Sequence, residues 1–177
     1  MYLFVDGARM GYGLGSEAND VSLRDFGQLA DVFYLGGTKC GALFGEAVVL
    51  LADSLKHRFK TYMKQNGAVL AKAWLLGLQF YALLENGEYF KITARADKLA
   101  MRLKEAFAKK GIPFAVDSPT NQQFVILTPL QEKKLAEKYI FEGMGTLEDG
   151  RKKVRFCTSW STTEEEIEAL IADIQAL

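Results

Sequence analysis

Lys39 stands in Gly36-Gly37-Thr38-Lys39-Cys40-Gly41, between the apolar run that follows Asp31 and a second apolar run that ends near Leu51. This strand, glycine-rich turn and strand constrain the fold more than any other stretch. Residues without Cβ offer little obstruction, so Gly36, Gly37, Gly41 and Gly45 place Lys39 where backbone can approach a ligand closely. An amine held among apolar strands is partly desolvated, which favours its neutral form and makes Lys39 a candidate nucleophile toward carbonyls. The plainer alternative is a strand-end lysine that reaches solvent.

One strand-plus-loop unit upstream, Tyr2–Val5 reads as another apolar strand, ending in Asp6-Gly7-Ala8-Arg9. Ligands in open α/β sheets bind beyond the carboxyl ends of strands, so Asp6, Arg9 and Lys39 can converge on one crevice. At these residues the chain resembles the pyridoxal-phosphate enzymes of the aminotransferase-like fold, and within them the threonine aldolase and β-eliminating lyase family. In that family an Asp-Gly-Ala-Arg strand end precedes a Ser/Thr-Lys turn that bears the cofactor lysine. Here the two motifs stand as Asp6–Arg9 and Thr38-Lys39.

The resemblance implies pyridoxal 5'-phosphate as cofactor, Lys39 as its imine-forming lysine and Thr38 beside it in the cofactor site. It makes Asp6 the carboxylate that keeps the pyridine nitrogen protonated, so that the ring accepts the electron pair released at the substrate Cα. An Asx turn with Gly7 and Ala8 is the alternative for Asp6. Arg9 and Arg155 take the positions that hold an amino acid's α-carboxylate, a task suited to a planar guanidinium fork. Without the resemblance, Arg155 reads equally as a sheet-edge arginine. Lys64, or Lys72, corresponds to a basic residue that reaches the cofactor phosphate of a neighbouring subunit. Where the family often has histidine, this chain has Ser159, which points to a subgroup with a different substrate. Cys40 lacks a general base and reads as packing, and His57 as an exposed helix residue.

The fold class expected is α/β: residues 1–90 as the later part of a pyridoxal-phosphate-binding large domain, with a mixed, mostly parallel sheet and helices, then residues 91–177 as a small C-terminal α/β domain. Helical periodicity marks Val21–Ala30, a basic stretch Leu55–Lys64, Ile92–Lys110 and Gln131–Lys138. A final helix is capped by Thr162 or Thr163 with Glu165 or Glu166. Pro113–Val116, Gln123–Leu127 and Lys153–Cys157 read as strands. Ala68–Leu84 is slightly short for a bilayer and carries Lys72 and Gln79. It is expected to be a helix buried on most of its circumference, covered by a partner subunit or by further chain.

Lysine plus arginine equals aspartate plus glutamate at 22 each, so no basic excess points to nucleic acid. Cys40 and Cys157 make neither a disulfide framework nor a zinc set, so no metal site is expected. Nothing at the start reads as a secretory signal, and a reducing cytoplasm is expected. The resemblance covers the later half of the family, without its phosphate loop or its ring-stacking group. The expected activity is retro-aldol cleavage of threonine or a similar β-hydroxy amino acid by a homodimer or homotetramer, with this chain inactive by itself. Two alternatives are β-elimination on an aromatic amino acid and a non-catalytic, oligomerising domain.

Overall fold

In the computed structural model, which describes residues 1–177, a short strand, β1 (Phe4–Val5), leads into a six-residue helix, α1 (Met10–Gly15). α2 (Leu23–Leu29) follows, and at its start the Ser22 side chain accepts from the Asp25 amide while the Asp25 side chain accepts from the Ser22 amide. That reciprocal pair satisfies donors which a helix start otherwise leaves without partners. β2 (Val32–Gly36) lies between β1, to which it is parallel, and β3 (Glu46–Leu50), to which it is antiparallel. Alternation along β2 buries Phe33 and Leu35 and leaves Val32 and Tyr34 half-buried on the opposite face. Three helices follow: α3 (Asp53–Lys56), α4 (Phe59–Gln65) and α5 (Trp74–Glu85). With the start of α6 (Glu88–Lys109) they complete the first of two units, residues 1–15 and 19–92.

Two helices in this unit differ from the periodicity. The basic stretch Leu55–Lys64 is broken at His57 and Arg58, because Arg58 takes a left-handed φ of 56°. The apolar stretch Ala68–Leu84 becomes helical only from Trp74, Lys72 having a φ of 61° just before it. It is not buried on most sides either. Phe80 alone is buried within α5, whereas Trp74, Leu75, Leu78 and Tyr81 are exposed. A sequence that is apolar all round specifies faces to be covered without supplying the cover. Gln79, the polar residue of this helix, has a local task. Its Oε1 accepts from the Leu43 amide at 2.7 Å and its Nε2 donates to the Phe44 carbonyl at 3.3 Å.

The second unit, residues 16–18 and 93–177, takes the rest of α6 and then β4 (Phe114–Val116), β5 (Gln122–Leu127), α7 (Pro129–Ala136), β6 (Glu142–Thr146), β7 (Lys152–Cys157) and α8 (Glu164–Gln175). Its sheet has the order β4-β5-β7-β6 and is antiparallel throughout. Leu99, Leu103 and Phe107 of α6 join Val125, Leu127, Val154, Phe156, Ile167 and Ile174 in one core. Capping boxes start α7, through Thr128 and Gln131, and α8, through Thr163 and Glu166. β6 is a strand that the sequence pattern misses, because Gly143 and Gly145 read as turn residues and here flank a register shift against β7. Asp97 on α6 is only 4% exposed, and neither of its carboxylate oxygens has a hydrogen-bond partner. No helix is long and apolar enough to cross a membrane.

Candidate active site

The strand ends of the first unit are held by backbone contact. Parallel register pairs Val5 with Phe33, which brings the following residues, Asp6 and Tyr34, alongside each other. The Gly36 amide donates to the Gly7 carbonyl at 2.8 Å. A Cβ at Gly7 would lie 1.5 Å from the Tyr34 carbonyl oxygen, and one at Gly36 would lie 2.3 Å from the Ala8 carbonyl oxygen. These glycines therefore serve the approach of one strand to the other. The expectation that glycine leaves room for a ligand is corrected at Gly36 and Gly37, where a Cβ would lie 2.3 Å from the chain's own carbonyl oxygens, whereas at Gly41 and Gly45 the nearest atoms belong to the side chains of Ile92 and Leu76.

Lys39 sits in a turn fixed from several directions. The Cys40 and Ala42 amides donate to the Gly37 carbonyl at 2.8 and 3.0 Å, and the Gly37 amide donates to Glu46 Oε2 at 3.0 Å. Two buried phenols complete the frame: Tyr12 donates to the Lys39 carbonyl, and Tyr89 donates to the Gly36 carbonyl at 3.0 Å. The Lys39 side chain is exposed, as is that of Thr38, so partial desolvation of the amine is not what the fold provides. What it provides is a fixed backbone under a free amine. Cys40 is fully buried, and burial pushes its thiol up, in keeping with a packing role.

Asp6 is exposed and takes both of its hydrogen bonds on Oδ1. One comes from the Tyr34 hydroxyl and the other from the Ala8 amide at 3.0 Å. The second is the Asx turn foreseen as the alternative, so turn and available carboxylate coexist. The Tyr34 hydrogen bond first, then the Ala8 amide, and more weakly the positive charge of Lys39, hold the Asp6 carboxyl below the usual aspartate range. The same pairing pushes the Tyr34 phenol up to about 12. Asp6 and Arg9 line one cleft of about 300 Å³, together with Met10, Gly13, Leu14 and Phe26. Lys39 is not among the lining residues, and its link to Asp6 is electrostatic.

The other candidates lie on other elements. Lys64 is exposed in the last turn of α4, and Lys72 is exposed in the turn before α5. His57 is exposed at the end of α3. In the second unit, Arg155 lies on β7 opposite Glu142 of β6 and donates to that carboxylate through Nη2. β7 lies between β5 and β6, so Arg155 is not at a sheet edge. Its Nε is buried without a hydrogen bond. The Ser159 hydroxyl is 2.9 Å from that of Ser161, in the loop ahead of α8. Three tyrosines matter that the motifs did not reveal, Tyr12, Tyr34 and Tyr89. For Tyr34 it is the strand register, setting its hydroxyl beside Asp6, that shows the role.

No protein-family model matches the sequence. A low-specificity L-threonine aldolase from Pseudomonas sp. strain NCIMB 10558 is 30% identical, over 83% of this chain and 42% of its own length. Threonine aldolase from Leishmania major is 39% identical and superposes with a TM-score of 0.97, over 99% of this chain and 52% of that one. The homologues are threonine aldolases. The chain spans about half the length of the threonine aldolases it matches. A lysine aminotransferase from M. tuberculosis, at 19% identity and a TM-score of 0.54 over 99% of this chain and 41% of its own, shares the fold. The α/β architecture seen here is thus a part of the aminotransferase-like fold.

Proposed function

We propose that the chain carries the lysine-bearing part of a pyridoxal-phosphate-dependent lyase of the threonine aldolase type. The reaction is retro-aldol cleavage of threonine or a similar β-hydroxy amino acid to glycine and an aldehyde. The similarity to the Leishmania major enzyme, which runs through nearly the whole chain at a TM-score of 0.97, carries this reading. The residues fit the cofactor: an exposed amine on a fixed backbone stands near a carboxylate that has one oxygen to spare.

When bound, pyridoxal phosphate supplies an electron-accepting ring beside the substrate Cα. Lys39 Nζ would be the amine that holds the cofactor, and once freed it would take up and return a proton near the substrate. Asp6 Oδ2 would be the acceptor for the ring nitrogen, the Tyr34 and Ala8 hydrogen bonds holding the carboxyl below the usual aspartate range and so keeping its charge. Arg9, and by the resemblance Arg155, would be guanidinium groups for the substrate α-carboxylate, Thr38 would border the cofactor, and Lys64 would neutralise the cofactor phosphate of a neighbouring subunit. The first unit corresponds to the large, cofactor-binding domain and the second to the small C-terminal domain. Because the chain spans about half of its relatives, we assign activity to a form of their length, assembled as a homodimer or homotetramer in the cytoplasm. Neither nucleic acid nor membrane is a partner.

In that form, borohydride reduction followed by mass spectrometry should find the cofactor on Lys39, and Lys39→Ala should abolish the adduct. A cofactor adduct on another lysine overturns the assignment. This 177-residue chain with added pyridoxal phosphate should not cleave threonine, and turnover by a compact monomer at ordinary enzyme rates refutes the need for more chain or a partner.

A further inference from the structure

We infer that Tyr34 is a positioning residue, whose hydroxyl clamps Oδ1 of Asp6 and leaves Oδ2 as the acceptor for a cofactor's ring nitrogen. The inference rests on the reading of Asp6 given above.

Four observations carry it. Parallel register sets Asp6 beside Tyr34, and the Gly7 position, where a Cβ would meet the Tyr34 carbonyl at 1.5 Å, makes that spacing close. The hydroxyl of Tyr34 and the amide of Ala8 both donate to Oδ1, so the carboxylate plane is fixed by two donors on one oxygen. The phenol itself is steadied by the ring of Phe4, whose centroid lies 6.1 Å away. Finally, Phe33 and Leu35 on the other face of β2 supply the core contacts, so the outward position 34 does not need an aromatic for burial.

The physical effect is twofold. A phenol donating to a carboxylate favours the ionised acid, and ionised Asp6 is the form that attracts a protonated ring nitrogen. Two donors on Oδ1 also cost the side chain its rotational freedom in advance, so an acceptor on Oδ2 is presented in one orientation. Lys39 adds to the first effect through its charge and not to the second.

The test begins on the chain without cofactor. Carbon-13 titration of the Asp6 carboxyl should show a higher midpoint in Tyr34→Phe than in the native chain. The melting temperature should stay close to native, because Phe keeps the contact with Phe4. Ring-fluorinated tyrosines placed at position 34 retain the shape and strengthen the donor, and the Asp6 midpoint should fall as the phenol becomes more acidic. An unchanged midpoint in Tyr34→Phe, or one that ignores the fluorinated series, overturns the clamp. With pyridoxal phosphate bound to a form of the relatives' length, the pH at which the cofactor absorbance changes should shift in both Tyr34→Phe and Asp6→Asn. If the midpoint of Asp6 responds to Tyr34 while the absorbance profile ignores both substitutions, the clamp stands as chemistry, and the role of Asp6 at the ring nitrogen falls.

Discussion

In the second unit, α6 and α8 lay Leu99, Leu103, Phe107, Ile167 and Ile174 into a shared core, each 3% exposed or less; in the first, α5 leaves Trp74 64%, Leu78 52% and Tyr81 61% exposed. One unit gathers most of its large apolar residues into a core, with a few such as Leu130 and Ile140 exposed, and the other leaves many of its own uncovered. Soluble monomers seldom expose continuous apolar patches beyond roughly several hundred Å². Asp6, Arg9 and Lys39 all belong to the uncovered unit. The best-packed core and three of the candidate site residues thus lie in different parts of the chain, Arg155 being the candidate in the closed unit, and substitutions should separate the two.

The largest loss of stability should come from the closed core. Phe107, fully buried and 5.2 Å from Phe156 between ring centroids, should cost about 3–5 kcal/mol as Phe107→Ala, read by denaturant unfolding. An equal cost for Trp74→Ala in the same assay would erase the contrast between the units. Asp6→Asn should do the reverse. In a form of the relatives' length it should lower turnover roughly a hundred- to a thousand-fold, as loss of a charge-stabilising group does, while unfolding changes little. Near-native turnover would remove Asp6 from the chemistry.

A smaller effect follows from Asp97, where burial pushes the carboxyl up from 3.8 to about 7. A folded value above the unfolded one means that the stability tied to the neutral acid is complete below about pH 4 and is lost as pH rises through about 7. Asp97→Asn should therefore flatten the fall of stability between those limits, measured as midpoint against pH, and an unaltered slope would contradict the assignment. Trp74→Glu should be the mildest change for stability, within about 0.5 kcal/mol, as for exposed positions generally. It should nonetheless weaken self-association in sedimentation. Association identical to native would show that α5 is not the adhesive face.

Local chemistry was the most legible part of the sequence. The pairs Thr162–Thr163 and Glu165–Glu166 announced the start of α8, and the apolar run to Leu127 announced a strand, because both signals lie within a few residues. Long-range features were not legible. β6 reads as a turn until β7 is there to pair with it, and the left-handed Arg58 and Lys72 have no local signature that separates them from helical neighbours. At the site, Asp6, Arg9 and Lys39 were marked by motif spacing. Tyr34 was not, since only strand register shows which side chain faces the carboxylate. Arg155 was marked too, but its pairing with Glu142 depends on a strand the pattern missed.

The Lys39 carbonyl is gripped by Tyr12 while its side chain extends freely from the turn. Such a lysine behaves as a tether with an immobile root and four rotatable bonds. Exposed side chains change rotamer on picosecond-to-nanosecond timescales, whereas loop movements and turnover are far slower. The amine can therefore leave and regain one orientation many times over on the timescale of slower motions, without any movement of the main chain.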